Sequence, residues 1–343
     1  MILLTGANGH LGANLLRRLL RDGEAVRVFL RPESDNRTVD GLAVERAYGD
    51  LRDPQTVEAA LHGCTHVYHA AAMVSTLHHR RLEIYESNVI GTRNVLRAAL
   101  AEGVTKVVVS GSLSAVGHTP DRPTDETVPF NPFEKHLPYA FSKAGVEREC
   151  LNAAVEGLPV VVAISCAILG PWDFKPSRMG RTLVDFANGR LRAYIPGGFE
   201  FVAARDIVEG HVLAMRKGRS GQRYIISTKF LTVDELLGIF ERVTGRPRPP
   251  RIPPGLMAAA AEVSSFVLTH FCPNVPQRFT PGAIRLLRMQ RRADCSKARR
   301  ELGYEPTRIE DAIQEAYDWH VERGAVRSPI AGRRPAERVE VGS

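Results

Sequence analysis

Cysteine is scarce and scattered in this chain: five residues in 343, at Cys64, Cys150, Cys166, Cys272 and Cys295, with no CxxC spacing among them. A metal clip of that kind is excluded, and the thiols read as free, mostly buried groups of a reducing compartment. No basic tract is interleaved with aromatics, which sets nucleic acid aside as a partner despite a net charge of +8. The excess reads instead as a solvated surface with some attraction for anionic ligands such as phosphorylated cofactors. No apolar run is long and clean enough for a membrane span; the nearest, residues 255–272, is broken by Glu262 and His270. That run reads as a cap helix over a pocket, the alternative being an interfacial helix that collects a lipophilic substrate from a bilayer. With an apolar strand starting at Ile2 there is no room for a leader, so a cytoplasmic protein is expected. Internal repeats and long low-complexity segments are missing too.

What is present is an ordinary globular composition, 44% hydrophobic and 24% charged, long enough for one large α/β unit with a smaller cap. The chain opens on a short apolar run, Ile2 to Leu4, that breaks into Thr5-Gly6-Ala7-Asn8-Gly9-His10-Leu11-Gly12. Leucines at 11, 15, 16, 19 and 20 then recur at helical spacing. Strand, glycine turn and helix in that order suit a pyrophosphate: glycine lets the backbone come close, and the helix start offers free N–H groups. Thr5, Gly6, Asn8, Gly9, His10, Leu11 and Gly12 are the candidate cofactor-binding residues of this turn. Lysine does not follow the last glycine, which argues against a P-loop.

A second strand ends at Leu30-Arg31, where an acidic residue would hold the ribose hydroxyls of NAD. Arg31, with Arg37 nearby, suits a 2′-phosphate instead, so NADPH/NADP is expected and NADH/NAD remains the alternative, with Glu33 or Asp35 on the ribose. Asp50 and Leu51, at the end of a third strand, are candidates to meet the adenine. Ala70, Ala71 and Ala72, after a fourth strand, would let the cofactor approach the backbone. A long helix over Leu82 to Ala101 is followed by a fifth strand that runs into Ser110-Gly-Ser112-Leu-Ser114. Strands alternating with helices predict a parallel sheet, whose ligands sit at the strands' carboxyl ends.

Tyr139 and Lys143 stand four residues apart on a predicted helix and so share a face. A nearby ammonium would lower the phenol's pKa and make Tyr139 a usable acid. Together the Gly6/Gly9/Gly12 turn, Gly49-Asp-Leu51, the Ser110-to-Gly117 strand end and Tyr139-x-x-x-Lys143 resemble the extended short-chain dehydrogenase/reductase family. The resemblance runs through about the first 320 residues. It implies that Tyr139 is the acid or base, that Lys143 tunes it and holds the nicotinamide ribose, and that Ser112 polarises the carbonyl. Asn88 matches a structural helix asparagine, while Gly111 departs from the commoner paired serine. The segment Ser165-Cys-Ala-Ile-Leu169 lacks the Asn-Pro pair of the sugar-nucleotide members and is closer to the dihydroflavonol reductase and 3β-hydroxysteroid dehydrogenase branch.

The expected fold is α/β, a Rossmann-type doubly wound parallel sheet with a smaller, mostly helical C-terminal substrate-binding region. The cofactor unit is placed at residues 1–166 and the substrate region at 167–323, with 193–227 partly returning to the first unit. A disordered tail is expected over 324–343. Trp172, Phe174, Arg178, Met179 and Phe186 are candidates to line the pocket, Asp206 reads as an N-cap, and His211 as packing. The expected function is NADPH-dependent reduction of a ketone, or the reverse oxidation, on an apolar small molecule. The alternative is an NAD-dependent epimerase or dehydratase acting on a sugar nucleotide or related polyol. A homodimer is the assembly allowed for.

Overall fold

A computed structural model of the chain describes residues 1–75, 78–130, 137–253 and 286–327. Seven parallel strands form the central sheet in the order β3-β2-β1-β4-β5-β6-β9. They are β1 (Ile2–Thr5), β2 (Val26–Leu30), β3 (Glu45–Tyr48), β4 (His66–His69), β5 (Lys106–Ser112), β6 (Val160–Ser165) and β9 (Arg223–Ile226). The valine runs of β5 and β6 suit strands covered on both faces, since crossover helices shield a parallel sheet from water. On one face lie α2 (Pro54–Leu61), α4 (Gly91–Ala101) and α5 (Pro138–Val155), which bury Val57, Val95, Leu96 and Val146. On the other lie α1 (His10–Arg21), α7 (Ala204–Lys217) and α9 (Ser296–Leu302), which bury Leu15, Leu16, Val208 and Leu302. Strand order reverses between β1 and β4, and the crevice there is where an open α/β sheet takes its ligand.

The C-terminal region departs from the mostly helical expectation. It holds a second, three-stranded sheet in the order β10-β8-β7, from β7 (Ala167–Leu169), β8 (Gly198–Ala203) and β10 (Lys229–Thr232). Against it pack α6 (Arg178–Ala187), α8 (Val233–Thr244) and α10 (Ile309–Glu322), around Phe201, Phe240 and Ile313. Helix α8 starts on a capping box, Thr232 and Glu235 each bonding the other's backbone N–H. Such a cap contributes about 1 kcal/mol. Phe186 is core here rather than pocket wall, its ring edge-on to Phe240 at 5.6 Å. Asp206 is not an N-cap either: it lies in the first turn of α7, buried, and accepts from Thr228 Oγ1 and from Thr307 N and Oγ1. Its carboxylate joins three segments, which needs a position inside the helix rather than before it.

Among the described residues no helix is long and apolar enough to cross a membrane. Residues 255–272, Cys272 and residues 328–343 lie outside the described residues, while 324–327 of the expected disordered tail are packed instead, with Val326 buried and Asn188 bonded to Ala325 O and Arg327 N.

Candidate active site

At the switch point the three glycines have different jobs. Gly6 sits at φ +75°, and a Cβ on it would lie 2.6 Å from Ala71 N. A Cβ on Gly12 would lie 2.1 Å from Gly6 O, so the protein's own packing demands both. Gly9 is different: a Cβ there would meet only Gly6 O, at 3.4 Å. Its bareness leaves space rather than filling a tight contact. Helix α1 begins at His10 with no side-chain cap and no acidic residue in its first turn. Uncapped N–H groups, the positive dipole end and an open approach over Gly9 fit a pyrophosphate.

Around this turn the candidate side chains divide. Leu11 is buried core, so only its backbone faces the opening. His10 Nε2 and Asn14 Nδ2 both meet Pro171 O, at 3.0 and 2.9 Å, tying α1 to the segment that follows β7. Asn8 Nδ2 donates to Asn36 Oδ1, and Asn36 Nδ2 to Arg31 O, which joins the turn to the loop after β2. Ala71 N donates to Thr5 Oγ1 at 3.3 Å, Ala70 is half-buried, and Ala72 is exposed.

At the β2 tip Arg31 is exposed, whereas Arg37 is clasped by Asp35 at 2.8 and 2.9 Å. Asp50, expected at the adenine, is instead gripped by Arg52 through both carboxylate oxygens, at 2.6 and 3.0 Å. The Arg52 hydrogen bonds hold its carboxyl below the usual range. Leu51 packs on Gly91, and its carbonyl accepts Asn94 Nδ2 at 2.9 Å.

The serine strand end and the Tyr/Lys helix do come together. The Tyr139 phenol lies beside the Ser112 hydroxyl, which acts to lower its pKa. Ser112 Oγ lies 2.8 Å from Ser114 Oγ and also accepts Ser114 N. Lys143 Nζ, one turn along α5, donates to Ser110 O at 2.8 Å. Gly111 is bare because a Cβ would lie 2.7 Å from Val162 Cγ1 across the β5–β6 pair, which accounts for the missing second serine. One expectation is corrected: the phenol is not lowered. Burial pushes Tyr139 up to about 12, against the Ser112 hydroxyl, while burial brings Lys143 down to about 8. The ammonium is directed at the Ser110 carbonyl, so it does not offset the desolvation of the phenol.

Asn88 lies in a π-turn, Glu86–Ile90, that interrupts the helix between Arg81 and Ala101. π-turns of this kind re-aim side chains at functional sites. Here Asn88 Nδ2 donates to Ser142 Oγ at 2.9 Å and to Met73 O, and Oδ1 accepts Met73 N. Ser142 in turn donates to Tyr139 O at 2.8 Å.

Residues that the sequence did not single out complete the frame. His69, buried in β4, contacts Thr5 Oγ1 through Nδ1 at 2.8 Å and Thr92 Oγ1 through Nε2 at 3.0 Å. Thr92 donates to Asn88 O at 2.6 Å. A continuous run of hydrogen bonds thus joins the glycine turn to the backbone of Tyr139. Arg291 Nη1 donates to Leu113 O and Val116 O, pinning the loop that carries Ser112 and Ser114. A polar residue in a strand buried on both faces was the available signal for His69.

After β7, Trp172 is a non-glycine residue at φ +62°, a conformation that costs about 1–3 kcal/mol. Arg17 of α1 lies 4.0 Å over its ring, Phe174 stacks on it at 6.1 Å, and Trp319 of α10 lies 6.5 Å away. Trp172 and Phe174, expected to line a pocket, here clamp two helices together.

A sequence model described as the NAD dependent epimerase/dehydratase family matches residues 2–227. Sterol demethylase protein B of Methylococcus capsulatus is 46% identical over 325 residues, 94% of this chain and 99% of that protein. A 4-hydroxy-2-methyl-3-oxo-4-farnesyl-3,4-dihydroquinoline-1-oxide ketoreductase of Stigmatella aurantiaca is 30% identical, covering 88% of this chain and 90% of its own. The crystal structure of gox2253 superposes with a TM-score of 0.83 at 31% identity, over 95% of this chain and 99% of that one.

Proposed function

Because the chain belongs to the NAD-dependent epimerase/dehydratase family, whose enzymes work with a nicotinamide dinucleotide, we propose that it is an NADPH-dependent reductase of a ketone on an apolar small molecule. The observation that carries this reading is the meeting of Ser112, Tyr139 and Lys143 at the strand end, with Lys143 Nζ held on Ser110 O at 2.8 Å. When bound, the dinucleotide would supply the hydride for the carbonyl carbon. Gly9, the start of α1 and Arg31 would hold it, with Lys143 on its ribose. Ser112 orients the carbonyl oxygen by hydrogen bonding, and Tyr139 gives it the proton that completes the alcohol. The Ser112 hydroxyl beside Tyr139 is the group that favours the phenolate left behind. Held at about 12, the phenol stays protonated through neutral pH and donates only when a strongly basic oxygen develops beside it.

Supporting an apolar substrate are the named activities of two relatives, one a sterol demethylase protein and one a ketoreductase of a farnesylated quinoline. Residues 1–166 serve the cofactor and 167–323 the substrate, with α7 and β9, inside 193–227, returning to the central sheet. The test is NADPH oxidation against a panel of sterol, polyketide-like and β-keto acyl ketones, with mass spectrometry of ligands that co-purify. Turnover of at least one ketone is expected. NAD retained through purification, with no net NADPH consumption, would favour the epimerase reading and sink this one.

Arg31 accounts for the cofactor choice. It is exposed at the β2 tip, while the nearby Asp35 is committed to Arg37. Arg31→Asp should raise KM for NADPH by about tenfold or more while sparing NADH, since a guanidinium–phosphate contact is worth about 1.5–3 kcal/mol. An unchanged NADPH/NADH ratio in steady-state kinetics removes Arg31 from the account.

A further inference from the structure

We propose that His211 is a positioning residue for Lys143, acting through Ser110 from the opposite face of the sheet. This rests on the reading that Lys143 serves the reduction. His211 lies on the face of α7 that buries Ile207, Val208 and Val212, and it is 0% exposed. Apolar packing alone would be met there by leucine or valine. The imidazole instead has both nitrogens engaged. Nδ1 meets Ile207 O, one turn back, at 2.7 Å. A carbonyl only accepts, so Nδ1 carries the hydrogen. Burial pushes the ring down to about 4, so at neutral pH it is uncharged and Nε2 is a lone pair. Ser110 Oγ, 2.8 Å from Nε2, must then be the donor. That commits the one hydroxyl proton of Ser110 to His211, and the bond pins the residue whose carbonyl receives Lys143 Nζ.

The need for a pin is local. Ser110 is followed by Gly111, so the peptide bearing that carbonyl has a neighbour with the loosest backbone of any residue. Helices α5 and α7 lie on opposite faces, and β5 runs between them. The serine side chain reaches one helix while its carbonyl serves the other. His211, expected to be packing, is thereby joined to the ammonium through a single residue.

The test is a mutant cycle read on kcat, with His211→Phe, His211→Gln, Ser110→Ala and the double His211→Phe/Ser110→Ala. His211→Phe should lower kcat about tenfold or more at temperatures well below its melting point. His211→Gln, whose amide oxygen can accept the Ser110 proton, should restore most of it. Ser110→Ala should resemble His211→Phe, and the double variant should be no worse than the worse single one. A full kcat in His211→Phe, an equal fall in the Gln variant, or effects that multiply would overturn the proposal. If His211→Phe does not fold, Ser110→Ala removes only one oxygen and reads the same link, and unaltered turnover there is fatal to it. Should the unaltered protein reduce no ketone, the reading of function fails, not this one. The cycle is then read on the dissociation constant for NADPH, by fluorescence titration, with the same pattern required.

Discussion

Tyr139→Phe should lower ketone reduction by about a thousandfold while leaving NADPH affinity within about threefold of the unaltered protein. Phenylalanine keeps the ring and its packing at the start of α5, so helix and strand end stay in register. What goes is the phenolic hydroxyl, the proposed proton donor to the substrate oxygen. General acids of this kind contribute about 10²–10⁴ in rate. Ser112 survives the loss because its hydroxyl still has Ser114 at 2.8 Å. It can orient a carbonyl but has no means of giving up a proton near neutrality. Single-turnover measurement of NADPH fluorescence separates the two effects, with amplitude reporting binding and rate reporting chemistry. A variant that binds normally and turns over within tenfold of the original would end the assignment of Tyr139 as the acid.

The second large effect is on stability. His69 and His211 are 2% and 0% exposed, and burial, with the Lys143 charge adding, brings their pKa values down to about 3 and about 4. In the unfolded chain both would titrate near 6.5. Between those values the unfolded state binds protons that the folded state refuses, so stability falls as pH falls. From pH 7 to pH 5 each ring should remove about 2 kcal/mol, together about 4 kcal/mol. Above 6.5 neither state is protonated and the contribution is flat. Buried Glu147 and Glu200, with raised pKa values, pull the other way, so single variants isolate the histidines. Urea melts at both pH values should show His69→Gln and His211→Gln each losing about 2 kcal/mol of the pH dependence. Variants with the original dependence would mean that the rings are protonated in the folded protein.

The contrast between these histidines and the motif residues says what could be read without coordinates. Gly6, Gly9 and Gly12 act within seven residues, and Tyr139 and Lys143 within one helical turn, so their spacing carries their geometry. The valine runs of β5 and β6 likewise declare a doubly covered sheet through local composition. His69 acts on Thr5 across 64 positions, and His211 on Ser110 across 101. Nothing near either histidine announces the partner. The small sheet was missed for a related reason: β7 has three residues and pairs Ala167 with Phe201, so no periodicity can develop before the long-range contact exists. Phe186 looked like pocket wall because a phenylalanine after a cofactor domain suits either place; only the partner ring of Phe240 decides. Asp50 and Arg37, expected to face ligands, are paired with charged neighbours two residues away, Arg52 and Asp35.

The joint at Trp172 has an optical consequence. The chain contains two tryptophans, Trp172 and Trp319, and both lie in that one stack, 6.5 Å apart beneath Arg17 and Arg323. All of the indole emission of the protein therefore originates where Arg17 of α1 and Trp319 of α10 meet the Trp172 ring. A movement of α1 that lifts Arg17 off the Trp172 ring should therefore change the protein's ultraviolet emission without a label.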